Sequence, residues 1–367
     1  MFNPSRLTLA RERRGLTQIQ LAQKIDVTRL TIYRYENGEV DPPPDKLSAL
    51  SKALNFPEDF FFGVHIDPPN ELAPSFRSLT SMTARERKAA ISAGAISFLL
   101  DDWVRSYVAR LPPVSLDDFS GETPEIAART LRQRWAFGER PIKNMIHLLE
   151  AKGVRVFSLV EETRSLDAFS LWRDDCPYVF LNTLKTGERS RFDAAHELGH
   201  LVLHRLGGPR GGGNDGKEAE YEANRFASAF LMPEADVRAV APTVSNVQQI
   251  ISLKKRWGVA ATALNYRLHK LGCVTDWQYQ KFAIQLTELG FRTAEPGGIT
   301  PEKSAYWQKI LDGLRAKGIN KNSMSAALAL PVGEIENLLF GLASMTTLEG
   351  GGLGTGKSRA NLRIISN

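Results

Sequence analysis

Two stretches of sequence decide the fold of the middle of the chain: RFDAAHELGHLVLHRLGG, residues 191–208, and KEAEYEANRFASAFLMP, residues 217–233. Apolar residues at helical spacing predict a helix from Arg191 to Leu206, ended by the glycine pair that follows. This helix carries the HExxH pattern as His196, Glu197 and His200. Two imidazoles one turn apart point from the same side of a helix, so the pattern predicts a shared zinc ion with the glutamate beside it.

A catalytic zinc ion usually has three protein ligands, so the two histidines are only part of a site. His204 lies about 12 Å along the helix axis from His196, too far for one metal with bonds of about 2 Å. The extended motif HExxHxxGxxH is absent, because Leu203 and Leu206 stand where its Gly and His would be. The third ligand must come from elsewhere, and a predicted helix from Lys217 to Leu231 offers Glu218, Glu220 and Glu222. The expected core face of that helix consists of Tyr221, Phe226, Ala229 and Phe230.

The two stretches resemble the ImmA/IrrE family of metallopeptidases, in which HELGH is followed by ExxAN-x-FA and LMP. The resemblance implies that Glu220 is the third zinc ligand, that Asn224 lies one turn further on, and that Glu197 is the catalytic glutamate. It extends from Tyr178–Asn182, which is similar to the family's edge strand, to about residue 272. Asp193 departs from the family, where a Thr or a similar residue is usual. We interpret it as a solvated residue, the alternative being a hydrogen bond to a ligand histidine.

This ligand set predicts zinc-dependent hydrolysis. Two neutral imidazoles and one carboxylate leave Zn²⁺ with a net positive charge, which lowers the pKa of its bound water and polarises a scissile carbonyl. Glu197 would take the proton of that water and pass it to the leaving amine. Mn²⁺ is the alternative metal. The competing interpretation makes His196, Glu197 and His200 ordinary helix residues, and for His204 we favour a residue stabilised by the helix dipole.

The composition of the chain limits which partners and which cellular location can be expected. Lys plus Arg number 47 against 41 Asp plus Glu, a net charge of +6 that permits nucleic-acid contact without proving it. Cys176 and Cys273 are the only cysteines, so neither a disulfide framework nor a cysteine zinc site is expected. The N-terminus lacks the apolar core of a secretory signal, and no apolar run is long enough to span a membrane. We therefore expect a cytoplasmic protein without membrane contact.

Residues 1–62 predict an all-α domain of five short helices. The segment GLTQIQLAQKIDVTRLTIYRYENGEVDPP resembles the helix-turn-helix of the Cro/repressor-like (XRE) family. Leu7, Ala10, Ile19, Leu21, Ala22, Ile32 and Tyr35 are the expected inward residues. The third helix would enter the major groove of double-stranded DNA and present Thr28, Arg29, Thr31 and Arg34.

Other polar residues of this segment are expected to support the DNA contact. The resemblance implies phosphate contacts by Gln18 and Asn37 and pairing of Arg11 with Glu36. We expect Arg6, Arg13 and Arg14 to add positive charge toward DNA. The alternative is a small protein-interaction module with a solvated basic face.

The expected organisation is multidomain. A linker at 63–75 precedes a zincin-like α+β metallopeptidase domain at 76–272, which contains a long helix from Thr83 to Leu111 and a small sheet. Its predicted strands run over Val154–Leu159, Ala168–Trp172 and Tyr178–Leu181. A helical C-terminal region at 273–345 exposes Glu334, Glu336 and Leu339, for which we favour a regulatory or dimerising role. A flexible tail at 346–367 contains GGLGTGKS, which satisfies the P-loop pattern but lacks its flanking strand and helix, so no nucleotide binding is expected.

Together these observations predict a DNA-binding transcriptional regulator with a zinc-dependent endopeptidase domain. The family resemblance implies cleavage of a repressor or regulatory protein in a stress or mobile-element response. The alternative is a transcription factor or antitoxin-like regulator whose peptidase fold is a sensor or dimerisation scaffold without proteolysis. A homodimer is compatible with either interpretation.

Overall fold

A computed structural model describes residues 1–69, 82–108, 111–159, 168–205, 216–291 and 294–345. Within these ranges the chain forms a helical N-terminal unit, a small mixed sheet covered by helices, and a helical C-terminal region. The predicted multidomain class, all-α followed by α+β followed by helices, is confirmed. No helix in the same ranges is both long and apolar enough to cross a bilayer. The P-loop-like segment lies outside the described residues.

The N-terminal unit contains four α-helices and a short 3-10 helix. They are α1 (Pro4–Arg13), α2 (Gln18–Lys24), α3 (Arg29–Glu36), α4 (Pro44–Leu54) and a 3-10 helix at Glu58–Phe62. Thr17 and Thr28 begin α2 and α3 because each side chain accepts a hydrogen bond from a backbone amide of the first turn. The predicted inward residues are buried with one exception. Ile19 is 52% exposed, whereas Leu21 and Ala22 on the same helix are buried.

Three helices precede the sheet: α5 (Ala84–Arg105), α6 (Pro124–Arg134) and α7 (Met145–Ala151). Thr83 and Glu86 form a capping box that begins α5 where the sequence predicted. The helix ends at Arg105, short of the predicted Leu111. The N-terminal unit contacts α5 through α1, where Lys88 Nζ lies 2.8 Å from Glu12 Oε1.

The sheet has three strands: β1 (Arg155–Ser158), β2 (Ala168–Arg173) and β3 (Cys176–Leu181). Their order is β1-β3-β2, with β1 parallel and β2 antiparallel to β3. The prediction of an edge strand for β3 is therefore wrong. This strand lies in the centre between β1 and β2, and all six of its residues are buried. Asp174 and Asp175, both with positive φ, form the two-residue turn between β2 and β3.

The two motif-bearing helices pack closely against each other. These are α8 (Gly187–Leu203) and α9 (Gly216–Leu231). A Cβ atom at Gly199 would lie only 3.2 Å from the Cα atom of Ala223, so glycine inside the HExxH motif permits this close approach. The predicted end of α8 at the glycine pair is wrong, because the helix stops at Leu203 with His204 as its C-cap. Tyr221 is 45% exposed and does not belong to the core face of α9.

The helices that follow cover the sheet and the motif-bearing pair. They are α10 (Glu234–Val240), α11 (Val247–Trp257), α12 (Ala261–Lys270), α13 (Asp276–Glu288), α14 (Ala305–Ala316), α15 (Lys321–Leu328) and α16 (Val332–Leu339). Two carboxylates link α7 and α14, because each accepts hydrogen bonds from backbone amides at the start of one of these helices. Glu302 accepts hydrogen bonds from the amides of Met145 and Ile146, and Glu150 accepts them from Ala305 and Tyr306. Burial raises the pKa of Glu150 to about 7 despite these donors.

The C-terminal region also contacts the N-terminal unit. Arg13 Nε donates a 2.8 Å hydrogen bond to Glu334 Oε2, and Arg14 donates to the other carboxylate oxygen. Arg6 is buried and donates to the carbonyl of Val64. None of these three arginines therefore extends toward DNA as predicted, because each serves an internal contact. The expected exposure of Glu334 and Leu339 is also wrong, since both are buried against neighbouring elements.

Candidate metal centre and DNA-binding face

The side chains of His196, His200 and Glu220 converge on one point between α8 and α9. The two histidine Nε2 atoms lie 3.0 Å apart. Glu220 Oε2 is 3.3 Å from Nε2 of His196, and Glu220 Oε1 is 3.3 Å from Nε2 of His200. Ligand atoms around a tetrahedral zinc ion with bonds of 2.0–2.1 Å are about 3.3 Å apart. The spacing of the two imidazole nitrogens and the two Glu220 oxygens, one oxygen facing each histidine, therefore suits a zinc ion.

Hydrogen bonding gives a second test of that fit. Glu220 Oε1 is buried yet has no hydrogen-bond partner, although Nε2 of His200 is 3.3 Å away. Buried polar atoms are nearly always satisfied, so such an atom calls for another ligand. Across the described residues, these three side chains form the one cluster of at least three His, Cys, Asp or Glu groups with metal-ligand spacing. We infer that the donor set suits a cation.

The electrostatics of the cluster favour ligand-competent forms of two of its members. Burial lowers the pKa of His200 to about 4, so its imidazole is neutral near pH 7. Burial acts to raise the pKa of Glu220, but the close approach of the two histidines outweighs it and lowers the pKa to about 2. For His196, burial opposes protonation, but Glu220 and neighbouring carboxylates outweigh it and raise the pKa. A metal ion at Nε2 of His196 would compete with a proton for that atom.

Further side chains fix the orientation of both imidazoles. Asn224 Oδ1 lies 3.2 Å from Nδ1 of His196. His200 Nδ1 lies 3.0 Å from Nδ1 of His204, whose Nε2 is 2.9 Å from Glu222 Oε2. Partners of this kind orient metal-binding histidines in many proteins.

The chain His200–His204–Glu222 was missed at the sequence level. His204 does lie at the helix end, as interpreted, but it is 3% exposed and paired with a carboxylate. A dipole effect alone is therefore an incomplete account of it. The i, i+4, i+8 spacing of the three histidines was the available signal, because it stacks their rings along one face.

Glu197 lies beside the cluster on the buried side of α8. It is 1% exposed, and its Oε2 has no hydrogen-bond partner. Burial raises the pKa of its carboxyl group to about 7. The strand β2 flanks this position, since Ser170 Oγ donates a 3.3 Å hydrogen bond to the Glu197 carbonyl. An unsatisfied carboxylate oxygen next to a cation site is suited to accept a proton from water.

Asp193 lies one turn before His196 on α8. Lys185 Nζ contacts Asp193 Oδ2 at 2.6 Å, and the Asp193 side chain is 19% exposed. The interpretation of a merely solvated residue is therefore wrong, because the carboxylate is part of an ion pair. That pair ties the start of α8 to the loop after β3.

The exposed face of α3 carries most of the predicted DNA-binding side chains. Thr28, Arg29 and Arg34 are exposed, and Thr31 is half-buried. Thr28 Oγ1 is 2.9 Å from Thr31 Oγ1 and caps the helix, so these two threonines also have a structural role. Leu30 and Tyr33 are exposed on the same helix and were missed. Their exposure could have been predicted, because neither residue lies on the face of α3 that carries Ile32 and Tyr35.

The flanking polar residues are engaged within the unit. Arg11 Nε donates to Glu36 Oε1 at 2.5 Å, which confirms the expected pair. Gln18 Nε2 donates to Glu36 Oε2 at 2.7 Å, and Asn37 Nδ2 donates to the Tyr33 carbonyl at 2.8 Å. The phosphate contacts of Gln18 and Asn37 therefore stay predictions. To contact a phosphate, each side-chain amide would have to use an N–H that is not engaged in these internal hydrogen bonds.

Comparison with known proteins finds family matches for two segments of the chain. Residues 7–61 match the helix-turn-helix family, and residues 149–269 match the peptidase M78 family, described as an IrrE N-terminal-like domain. No curated protein matches the chain. Among solved structures, Bacillus thuringiensis PlcR in complex with the peptide PapR7 and DNA shares 13% identity, covering 89% of this chain and 92% of that one. Its TM-score of 0.17 is too low to carry any argument about this chain.

The two matched segments correspond to structural units already described. The first spans α1 to the 3-10 helix, and the second spans α7 to α12 with the sheet and the metal cluster between them. The chain thus joins an XRE-type helix-turn-helix domain to an IrrE N-terminal-like domain of the peptidase M78 family, as the sequence predicted.

Proposed function

We propose that this chain is a DNA-binding transcriptional regulator with a zinc-dependent endopeptidase domain. One observation carries the proposal: two imidazole nitrogens and the two oxygens of Glu220 converge, with nearest contacts of 3.0–3.3 Å, beside the buried, unsatisfied Oε2 of Glu197. The match to a peptidase family supports it. His196, His200 and Glu220 would hold Zn²⁺, with Mn²⁺ as the alternative, and Asn224 would orient His196.

The proposed chemistry is hydrolysis of a peptide bond. Zn²⁺ held by this donor set supplies a positive charge that acidifies water and polarises a carbonyl. Glu197 accepts the proton of the attacking water and donates it to the departing amine. The pairs His196–Asn224 and His200–His204 hold the imidazoles in place, so little reorganisation is needed when the substrate arrives.

The substrate and location are part of the same proposal. Family resemblance favours a repressor or regulatory protein of a stress or mobile-element response, cleaved in the cytoplasm. Joining the peptidase to a DNA-binding domain would bring it close to a target bound at a nearby DNA site. A homodimer and the domain boundaries predicted at 62, 75, 272 and 345 also stay proposals.

Metal content tests the proposed site directly. Purified wild-type protein is expected to contain about one zinc ion per chain, and His196→Ala to retain less than a tenth of it, because only two ligands remain. Inductively coupled plasma mass spectrometry after dialysis measures both. Replacing exposed His147 by alanine is the matched control and should leave the zinc content unchanged. Equal zinc in wild type and His196→Ala would contradict the assignment.

Specific DNA contacts are expected from Arg29 and Arg34, whose side chains are exposed on α3. A bidentate contact between arginine and guanine contributes about 1–3 kcal/mol of discrimination, so Arg34→Ala should lower the preference for the operator about 5- to 150-fold. Gel shifts with the selected operator and with random DNA measure this ratio. Lys52→Ala, exposed on α4, is the control. An unchanged ratio for both Arg29→Ala and Arg34→Ala would remove α3 as the reader of the sequence.

A further inference from the structure

A buried arginine on α12 has no ion-pair partner. Arg267 is 6% exposed, and its Nε donates a 3.0 Å hydrogen bond to the carbonyl of Met232. Across the described ranges, no carboxylate oxygen lies within 4.0 Å of its guanidinium group, and its two terminal nitrogens make no hydrogen bond. Burying a charge without a partner is costly. This isolation suggests that the partner is a ligand.

Two other buried cations have the carboxylate partners that Arg267 and Arg6 lack within the described residues. Arg191 contacts Glu302, and Lys254 Nζ lies within 3.1 Å of both Glu188 and Glu295. Each of these charges is balanced inside the protein. Burial lowers the pKa of Arg267, but an arginine side chain remains protonated near pH 7. The carboxylates of Glu125 and Glu234 act on this charge electrostatically, but neither forms an ion pair with Arg267.

Arg267 lines a cavity of about 340 Å³ between α6, α9, α10 and α12. A second buried arginine, Arg132, lies on the same wall. It is 2% exposed and bonds only to carbonyl groups, those of Gly138, Phe230 and Arg140. Two guanidinium groups without carboxylate partners therefore share one cavity. Its volume lies at the small end of the range for small-molecule sites.

The charge around the cavity is predominantly positive. A second cavity shares Glu125, Glu234, Arg238 and Arg267 with the first, and together they are lined by six basic and three acidic side chains. Two of the acidic residues are already neutralised, since Glu125 pairs with Arg225 and Glu234 with Arg238. Exposed Glu139 is the third, and exposed Arg129 lies at the same entrance. The inner surface is thus suited to an anion.

We propose that this cavity binds a small molecule through a phosphate or carboxylate group, with Arg267 and Arg132 on its inner wall. Planar guanidinium groups match the oxygen geometry of both anions. The site is separate from the metal cluster, since the two share no residue. Its wall includes Ala229 of α9, the helix that carries Glu220, so an occupant would contact the same helix as the metal. The proposal does not depend on proteolytic activity.

Ligand-induced stabilisation of the full-length protein tests the site. Inorganic phosphate at ten times its Kd should raise the Tm of the unfolding transition of the cavity-containing domain by about 3 °C over chloride at equal ionic strength, because binding stabilises the folded state. Acetate in a parallel series distinguishes a carboxylate from a phosphate. Arg267→Met should abolish the shift with the preferred anion. Arg29→Ala and His196→Ala should keep it, which separates this cavity from the DNA-binding face and the metal cluster.

A second variant covers the case in which Arg267→Met does not fold. Arg129→Ala changes an exposed side chain at the entrance, and isothermal titration calorimetry should then show a Kd for phosphate or acetate raised about three- to tenfold. The proposal is overturned if wild type binds neither anion, or if Arg267→Met retains the shift. It is also overturned if Arg29→Ala or His196→Ala removes the shift, or if Arg129→Ala binds as tightly as wild type. Arg267 would then have only a structural role.

Discussion

Replacing Glu197 by glutamine is expected to lower peptide-bond cleavage about 10²- to 10⁴-fold, the usual contribution of a general acid or base. Glutamine retains the size of the side chain but cannot accept a proton. Glu197 is 1% exposed, and its Oε2 has no hydrogen-bond partner in the described structure, so this oxygen is available to accept a proton. The fold should tolerate the change, because a neutral amide is easier to bury than a charge.

Cleavage can be measured without knowing the substrate. Purified zinc-loaded protein is incubated with an extract of the host cell, and new N-termini are identified by chemical labelling and mass spectrometry. Glu218→Gln is the matched control, since Glu218 is an exposed glutamate at the start of α9. Wild type and Glu218→Gln should produce the same new N-termini, and Glu197→Gln should lack them.

Zinc content makes the result decisive. Glu197 is not among the three convergent donors, so Glu197→Gln should bind as much zinc as wild type. Loss of cleavage with retained zinc identifies Glu197 as the proton acceptor. Equal cleavage by Glu197→Gln and wild type would refute that role. If wild type itself produces no new N-termini while regulating its operator, the scaffold without proteolysis becomes the better account.

Local patterns in the sequence predicted the parts of the fold that short-range physics determines. The strands around Val156, Phe169 and Val179 and the helices that carry His196 and Glu220 lie where apolar periodicity placed them. Capping residues fixed several boundaries because a side-chain oxygen satisfies amides of the first turn. The HExxH spacing brings two imidazoles together through helix geometry alone.

Contacts between distant segments could not be predicted in this way. The central position of β3 depends on pairing with both β1 and β2, which the sequence of one strand does not encode. Glu222 and His204 are 18 residues apart, and only the packing of α9 on α8 brings them together. Arg13 is of a residue type that often contacts DNA, but its side chain donates a hydrogen bond to a carboxylate 321 residues away in the sequence. Partner choice in such cases is a property of the tertiary structure.

Glu334→Gln is expected to weaken the contact between the C-terminal region and the helix-turn-helix domain by about 3 kcal/mol, the lower end for breaking a buried ion pair. Glu334 is 3% exposed and contacts both Arg13 and Arg14. Its loss leaves two arginines facing a neutral amide. Arg14 keeps hydrogen bonds to the carbonyls of Leu54 and Asn55, so its own helix end should remain in place.

Hydrogen exchange of backbone amides is the appropriate measurement, because a multidomain chain does not unfold in one step. Amides of α16 should exchange about 100-fold faster in Glu334→Gln, which corresponds to the expected free energy. Glu336→Gln is the matched control on the same helix. Its carboxylate is 42% exposed and 3.3 Å from Lys321, so its loss should change exchange less than about fivefold.

Acid dependence separates the ion pair from other effects of the substitution. Burial acts to raise the pKa of Glu334, but Arg13 and Arg14 outweigh it and lower the pKa below its ordinary value of 4.5. A carboxyl group with a lowered pKa stabilises the folded state above its unfolded pKa, and this stabilisation is lost as pH falls through the folded value. The difference in α16 opening free energy between wild type and Glu334→Gln should therefore be constant near neutral pH and shrink below pH 4.5. A difference that stays constant in acid would mean that the substitution acts through packing, and the proposed electrostatic link between α1 and α16 would be refuted.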